Sequence, residues 1–257
     1  EGPAPQTLQT RDEWRRLLES TGLRYIAEIC TAGSYVPDRS ATMREHLSSL
    51  ERNLERCMPL SPRKVHCIGG VDAWHEEQSL DFFSRAIELA QGYGADISFE
   101  THRGRSLFNP WVTLRLCEQL GELKLTADFS HWCVVCERLM DVEQDILDRL
   151  AGRVTHIHAR IGYEQGPQVA DPRLARYRGA LESHRRWWRQ IWDRQQQQGF
   201  TQTTMTPEFG PDGYQQVDAA TGAPVGNLWE INQWIAGDQR EHFNLWRETL
   251  RKSGEGA

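Results

Sequence analysis

The chain has 257 residues, enough for one α/β barrel or two small domains and for a sizeable core. Its 36 acidic and 30 basic residues give a net charge of −6, which weighs against nucleic acid as a partner, since that needs a basic footprint. No apolar run reaches the roughly 18–20 residues that span a bilayer; the N-terminus carries no secretory signal, and the six scattered cysteines read as reduced thiols of a cytoplasmic protein.

Strand-like and helix-like runs alternate along the chain. Residues 11–20 predict a helix with Trp14, Leu17 and Leu18 on one face, and 24–31 (RYIAEICT) predict a strand. Met43, Leu47, Leu50 and Leu54 fall at helical spacing within 42–57. A strand over 64–68 stops at Gly69-Gly70, and 79–93 reads as a helix carrying Leu80, Phe83, Ile87 and Ala90. Three further strands, 96–101, 123–129 and 154–160, are separated by helices over 110–120 and 142–150. A long helix over 181–198 carries Trp187, Trp188, Ile191 and Trp192, a last strand covers 203–209, and a final helix covers 227–252. The ten tryptophans either wall a pocket or pack helices. Cys133 and Cys136 form a lone C-x-x-C with no second pair to complete a zinc site, so these thiols are expected to pack at the start of a helix.

Strict β-α alternation argues a parallel sheet in a single domain over 1–257. Six strands are visible where a closed (β/α) barrel has eight. The opening Glu1-Gly2-Pro3-Ala4-Pro5 reads as the end of a strand and its loop. A TIM barrel lacking its first one to two strands is therefore expected, with no strand before Glu1. Its open edges would need covering, which a homo-oligomer could provide.

Four acidic or histidine positions close four of these strand-like runs: Glu100 in ISFETHRGR, Asp128 in LTADFSHW, His158 in THIHARIGY and Glu208 in TTMTPEFGP. Strand ends of a parallel barrel converge on one face. Three carboxylates and one imidazole there make a hard, mostly oxygen site for one divalent ion, Mn²⁺, Mg²⁺, Co²⁺ or Zn²⁺. Each residue also has a plain alternative, such as a helix cap or a salt bridge to Arg103 for Glu100. His156 and His158 lie two apart on one strand, so both face the same way, and His156 is expected one layer deeper as a hydrogen-bonded core residue. His66, Trp74, His102 and Arg160 crowd the same strand ends as candidate substrate contacts, together with Arg103, Arg105, Tyr163 and Gln168. Arginines there hold a carboxylate or phosphate in bidentate fashion or lie in a solvated loop, and His66 reads as a packed barrel histidine or a ligand.

The segments FETHRGR, LTADFSHW, THIHARIGYEQGPQV and TPEFGP resemble the xylose isomerase-like sugar isomerase/epimerase superfamily, whose fold is a TIM barrel. The resemblance implies that Glu100, Asp128, His158 and Glu208 bind the metal, that the two glutamates exchange a proton with substrate carbon, and that His131 of D-x-x-H holds a substrate oxygen. The family's arginine six residues beyond the strand histidine is Glu164 here, while Arg160 lies only two residues on.

The expected activity is a metal-dependent isomerisation or epimerisation of a sugar or sugar phosphate beside its carbonyl. Glu100 and Glu208 would act as general base and acid, with a small carbohydrate as substrate and neither nucleic acid nor membrane as partner. The same groups could dehydrate a polyol ketone. A barrel that binds a ligand without turnover is the third reading. Metal-assisted phosphodiester cleavage would need more histidines and more metals. Ser130 abuts His131 in sequence without forming a nucleophilic triad.

Overall fold

Strands buried on both faces carry near-continuous apolar sequence rather than alternation, and KVHCI, ISFE and LTA are such runs. In the computed structural model, which describes residues 1–211 and 213–254, every residue of these three segments is buried. Contacts divide the chain into two compact units, 1–127 and 128–257.

In the first unit β1 (Ile26–Cys30), β2 (Lys64–Ile68), β3 (Ile97–Glu100) and β4 (Leu125–Ala127) pair in parallel in that order. Helices α1 (Leu8–Thr21), α2 (Met43–Cys57), α3 (Glu76–Gly92) and α4 (Pro110–Gln119) alternate with them. Their starts are written in the sequence. Thr42 and Glu45 form a reciprocal capping box, and Asn109 caps Val112 N–H just before Pro110. Phe82, Phe83 and Phe99 lock α3 onto the strands with ring centroids 4.9–6.4 Å apart. Gly2 makes a parallel bridge to Ala27: its N–H donates to Ile26 O, and its carbonyl accepts from Glu28 N–H. The opening residues thus run beside β1 as a strand end, as their sequence suggested.

The second unit holds α5 (Ser130–Val135), α6 (Gln144–Ala151), β5 (Val154–Ala159), α7 (Arg178–Gln197), β6 (Met205–Pro207) and α8 (Leu228–Ser253). β5 and β6 are parallel, with His158 opposite Thr206. Trp187, Trp188, Ile191 and Trp192 are all buried on α7, and Trp192 meets Phe243 and Trp246 of α8 at 5.1 and 5.8 Å. These tryptophans pack helices together. The described residues therefore contain six strands, as expected, and no helix long and apolar enough to cross a membrane.

Three local expectations need correction. The helix α5 was not anticipated, because six residues are too few to display a helical period. Cys133 lies in its second half and Cys136 caps its C-terminus, so the thiols sit at the end of a helix rather than its start. Burial pushes the Cys133 thiol up, which suits a packing role. Finally, Arg105 neither lies in a solvated loop nor offers a ligand fork. It is fully buried and donates to the carbonyls of Thr31 (2.7 Å), Gly70 (3.2 Å), Tyr35 (3.2 Å) and Ser34.

Arg105 therefore ties the loop after β3 to those after β1 and β2. Hydrogen bonds from a charged donor contribute roughly 1.5–3 kcal/mol each, and burial makes their loss costly. Arg105→Met is expected to destabilise the protein by about 3 kcal/mol or more, read from urea unfolding. A change near zero would remove Arg105 as the organiser of these loops.

Candidate functional site

Glu100 is the last residue of β3, and its backbone stands opposite Thr126 of β4. Its carboxylate is buried, and Oε2 lies 2.8 Å from His66 Nε2 on β2. Below it, Ser98 and Thr126 join hydroxyls at 2.7 Å inside the sheet. His66 thus stands on the neighbouring strand within ion-pair range of the acid, a position that its pattern KVHCI left open between packing and binding. His102, two residues past Glu100, is buried, and its Nδ1–H donates to Arg103 O at 2.6 Å, the only polarity possible against a carbonyl. Trp74 is half-buried after β2. Its ring meets His46 at 4.8 Å and Phe82 at 5.5 Å, so one side of it is committed to packing.

The second unit gathers the other predicted residues. Asp128 is fully buried directly after β4, at the start of α5. Its Oδ1 accepts from Ser130 N–H at 3.0 Å and from the Ser130 hydroxyl. Its Oδ2 accepts from Arg160 Nε–H at 3.0 Å and lies 3.5 Å from His131 Nε2. The same guanidinium donates through Nη2 to Glu208 Oε1. The other oxygen of Glu208 lies 2.6 Å from His158 Nδ1. Asp128, Arg160, Glu208, His158 and His131 therefore form one chain of charged and ionisable side chains at the ends of β5 and β6 and the start of α5. Tyr214, in the loop after β6, closes over it: Arg160 Cζ sits 4.5 Å above its ring, and His131 meets that ring edge-on at 6.2 Å.

His156 is one layer deeper. Its Nδ1 lies 2.8 Å from Thr204 Oγ1 and its Nε2 3.2 Å from Thr206 Oγ1, so both ring nitrogens are used on β6 and the strand's approach to it. It is a hydrogen-bonded core histidine, as its depth in the strand predicted.

A layer of supporting contacts holds the two loops that carry these groups. Gln168 makes a reciprocal amide pair with Gly210, donating to its carbonyl at 3.1 Å and accepting from its N–H at 2.9 Å. Asn232 of α8 does the same with Phe209, at 3.0 and 2.8 Å. The two residues after Glu208 are thus gripped from both sides. On the β5 side, His184 of α7 donates from Nδ1 to Ala180 O at 2.9 Å and accepts at Nε2 from Gly162 N–H at 3.3 Å. Gly162 packs so closely on Ser130 that an added Cβ would lie 2.7 Å from its backbone. No side chain fits there without moving the start of α5 and, with it, Asp128.

Two carboxylates and an imidazole in the second unit supply hard oxygen and borderline nitrogen donors. That set fits a divalent cation such as Zn²⁺, Mn²⁺ or Mg²⁺. Sequence reasoning missed Tyr214, Asn232 and His184. Tyr214 sits in a Gly- and Pro-rich stretch without periodicity, and the other two lie on helices where a lone polar residue carries no signal.

The sequence profile described as xylose isomerase-like TIM barrel matches residues 2–163. A search of curated proteins finds no match. Among solved structures, a xylose isomerase domain protein from Planctomyces limnophilus aligns with a TM-score of 0.60 at 11% identity, covering 96% of this chain and 86% of its own. An L-ribulose 3-epimerase aligns with a TM-score of 0.58 at 18% identity, over 95% of this chain and 81% of its own. The IOLI protein, solved with a bound zinc atom, aligns with a TM-score of 0.59 at 13% identity, over 90% and 82%. At these identities the likeness is one of fold.

Burial holds the His184 ring neutral, lowering it from the usual 6.5 to about 4. Between these values the unfolded chain takes up a proton that the folded chain refuses, so stability is full above pH 6.5 and falls as the pH drops towards 4. At about 1.4 kcal/mol per pH unit this amounts to roughly 2–3 kcal/mol between pH 7.5 and 4.5. His184→Gln, which keeps a donor and an acceptor, should be less stable than wild type at pH 7.5, and that deficit should shrink at pH 4.5. A deficit equal at both pH values in urea unfolding would overturn the assignment.

Proposed function

The chain belongs to the xylose isomerase-like TIM barrel family, and we propose that it is a divalent-metal-dependent isomerase or epimerase of a sugar or sugar phosphate. The observation that carries this reading is the placement of acidic groups at carboxyl ends of parallel strands: Glu100 ends β3, Asp128 follows β4, and Glu208 follows β6, with His158 next to last in β5. That is where (β/α) barrels carry their chemistry. Asp128, His158 and Glu208 are the residues of the second unit that would hold the ion. Glu100 is the proposed fourth ligand, on the strength of its place at the end of β3.

Bound there, the cation would supply charge stabilisation to a substrate carbonyl and its neighbouring hydroxyl oxygen. The chain's own residues would do the rest. Glu100 and Glu208 would exchange a proton with the carbon beside that carbonyl, one as base and the other as acid, each contributing about 10²–10⁴-fold. His158, 2.6 Å from Glu208, and His66, 2.8 Å from Glu100, would orient the two carboxylates. His131 would hold a substrate oxygen while its edge contact with Tyr214 keeps the ring in place. His102 and Trp74 are the remaining candidate substrate contacts, on the loops after β3 and β2.

Incubation of the Mn²⁺-loaded protein with ketoses and ketose phosphates in D₂O should place deuterium on carbon, read by NMR. Glu100→Gln and Glu208→Gln should each reduce exchange by at least 10²-fold with the fold intact. Absence of exchange across that panel would sink the isomerase reading, and loss of water from a polyol ketone would replace it with a lyase.

His131→Ala separates substrate contact from metal holding. It should keep a full equivalent of bound metal and lose most turnover. Loss of the metal from this variant would make His131 a ligand instead.

A further inference from the structure

A buried carboxylate needs a counter-cation, and Asp128 has one that it shares with the half-buried Glu208. Arg160 Nε–H donates to Asp128 Oδ2 at 3.0 Å, and Nη2 donates to Glu208 Oε1. Asp128 is fully buried and Arg160 almost so. Both carboxylates belong to the proposed ligand set. An arginine two residues beyond the strand histidine therefore binds one oxygen of each carboxylate, Asp128 Oδ2 and Glu208 Oε1.

We propose that Arg160 is an internal competitor of the divalent ion: its guanidinium must release at least one of these carboxylate oxygens before the ion can take it, and the strength of that grip sets metal affinity. This inference rests on the metal reading given above. Occupancy supports exchange over coexistence. Both oxygens of Asp128 already accept hydrogen bonds, Oδ1 from Ser130 and Oδ2 from Arg160, so an ion at Oδ2 would stand against the guanidinium at low local dielectric. A guanidinium does not deprotonate to relieve that repulsion. It must move off Oδ2. The Tyr214 ring, 4.5 Å from Cζ in this same pose, is a contact that involves no carboxylate. The other oxygen of Glu208, Oε2, lies 2.6 Å from His158 Nδ1 and is not the one Arg160 binds.

The test is calorimetric titration of the full chain with Mn²⁺ alone, compared with Arg160→Met and Arg160→Lys. Removing the guanidinium should tighten Mn²⁺ binding at least tenfold in Arg160→Met. Arg160→Lys, which offers one point contact where the guanidinium offers a fork, should fall between it and wild type. Affinity that is unchanged or weaker in Arg160→Met overturns the proposal while wild-type binding keeps the metal reading. Heat of binding in neither protein sinks the metal reading itself. If Arg160→Met does not fold, the side-chain Nε–H signal of Arg160 in the ¹⁵N-labelled wild type decides the matter. It should shift or broaden on saturation with Zn²⁺, and a signal unmoved by the ion overturns the competition.

Discussion

Acidic side chains at the ends of parallel strands are the constraint on which this structure turns, with Glu100 and Asp128 buried and Glu208 half-buried. A carboxylate that emerges from an apolar sheet has lost most of its water, and it persists only beside donors or cations. Each acidic strand end here has recruited such a neighbour from within its own unit. Glu100 has His66 on the adjacent strand. Asp128 has the start of α5 and the guanidinium of Arg160. Glu208 has that same guanidinium on one oxygen and His158 beside the other. A ligand set for a cation and a set of self-neutralising ion pairs are built from the same atoms.

Holding these groups in place falls to residues that carry no chemistry themselves. Side-chain amides of Gln168 and Asn232 substitute for a neighbouring strand along the two residues after Glu208, giving that segment backbone-like pairing where no ladder runs. His184 reaches from α7 to the loop after β5, and Arg105 spans three loops of the first unit through main-chain carbonyls. Loops built this way are fixed by buried polar contacts that are expensive to break. That rigidity is what a site of this kind requires, because proton transfer to carbon tolerates little misplacement.

Much of this was legible in the amino-acid sequence, and the exceptions have a common cause. The parallel α/β architecture was written in apolar runs such as KVHCI and in caps such as Thr42 with Glu45, because burial on both faces and the free N–H groups of a helix start impose local composition. The four strand-end residues were visible for the same reason: a carboxylate or imidazole at the end of a strand-like run stands out. His156 was read correctly as a deeper residue, since strand alternation sets its depth. Tyr214, Asn232 and Arg105 were not legible in their roles. Each acts on residues distant in sequence, through main-chain carbonyls or ring faces that leave no pattern at their own position. Arg105 looked like a loop arginine open to ligand because nothing in SLFNP or HRG announces that four carbonyls converge on it.

Both glutamates have an imidazole beside one oxygen, His66 for Glu100 and His158 for Glu208, and Glu208 also has a guanidinium on its other oxygen. Arg160 keeps its charge at any ordinary pH, so it leaves Glu208 only by moving. Exchange of Arg160 for a divalent ion would therefore replace one cation beside Glu208 with another. Tyr214 bears on that exchange, because the guanidinium already lies over its ring, a contact that carries no carboxylate and that Arg160 keeps only if its movement is small.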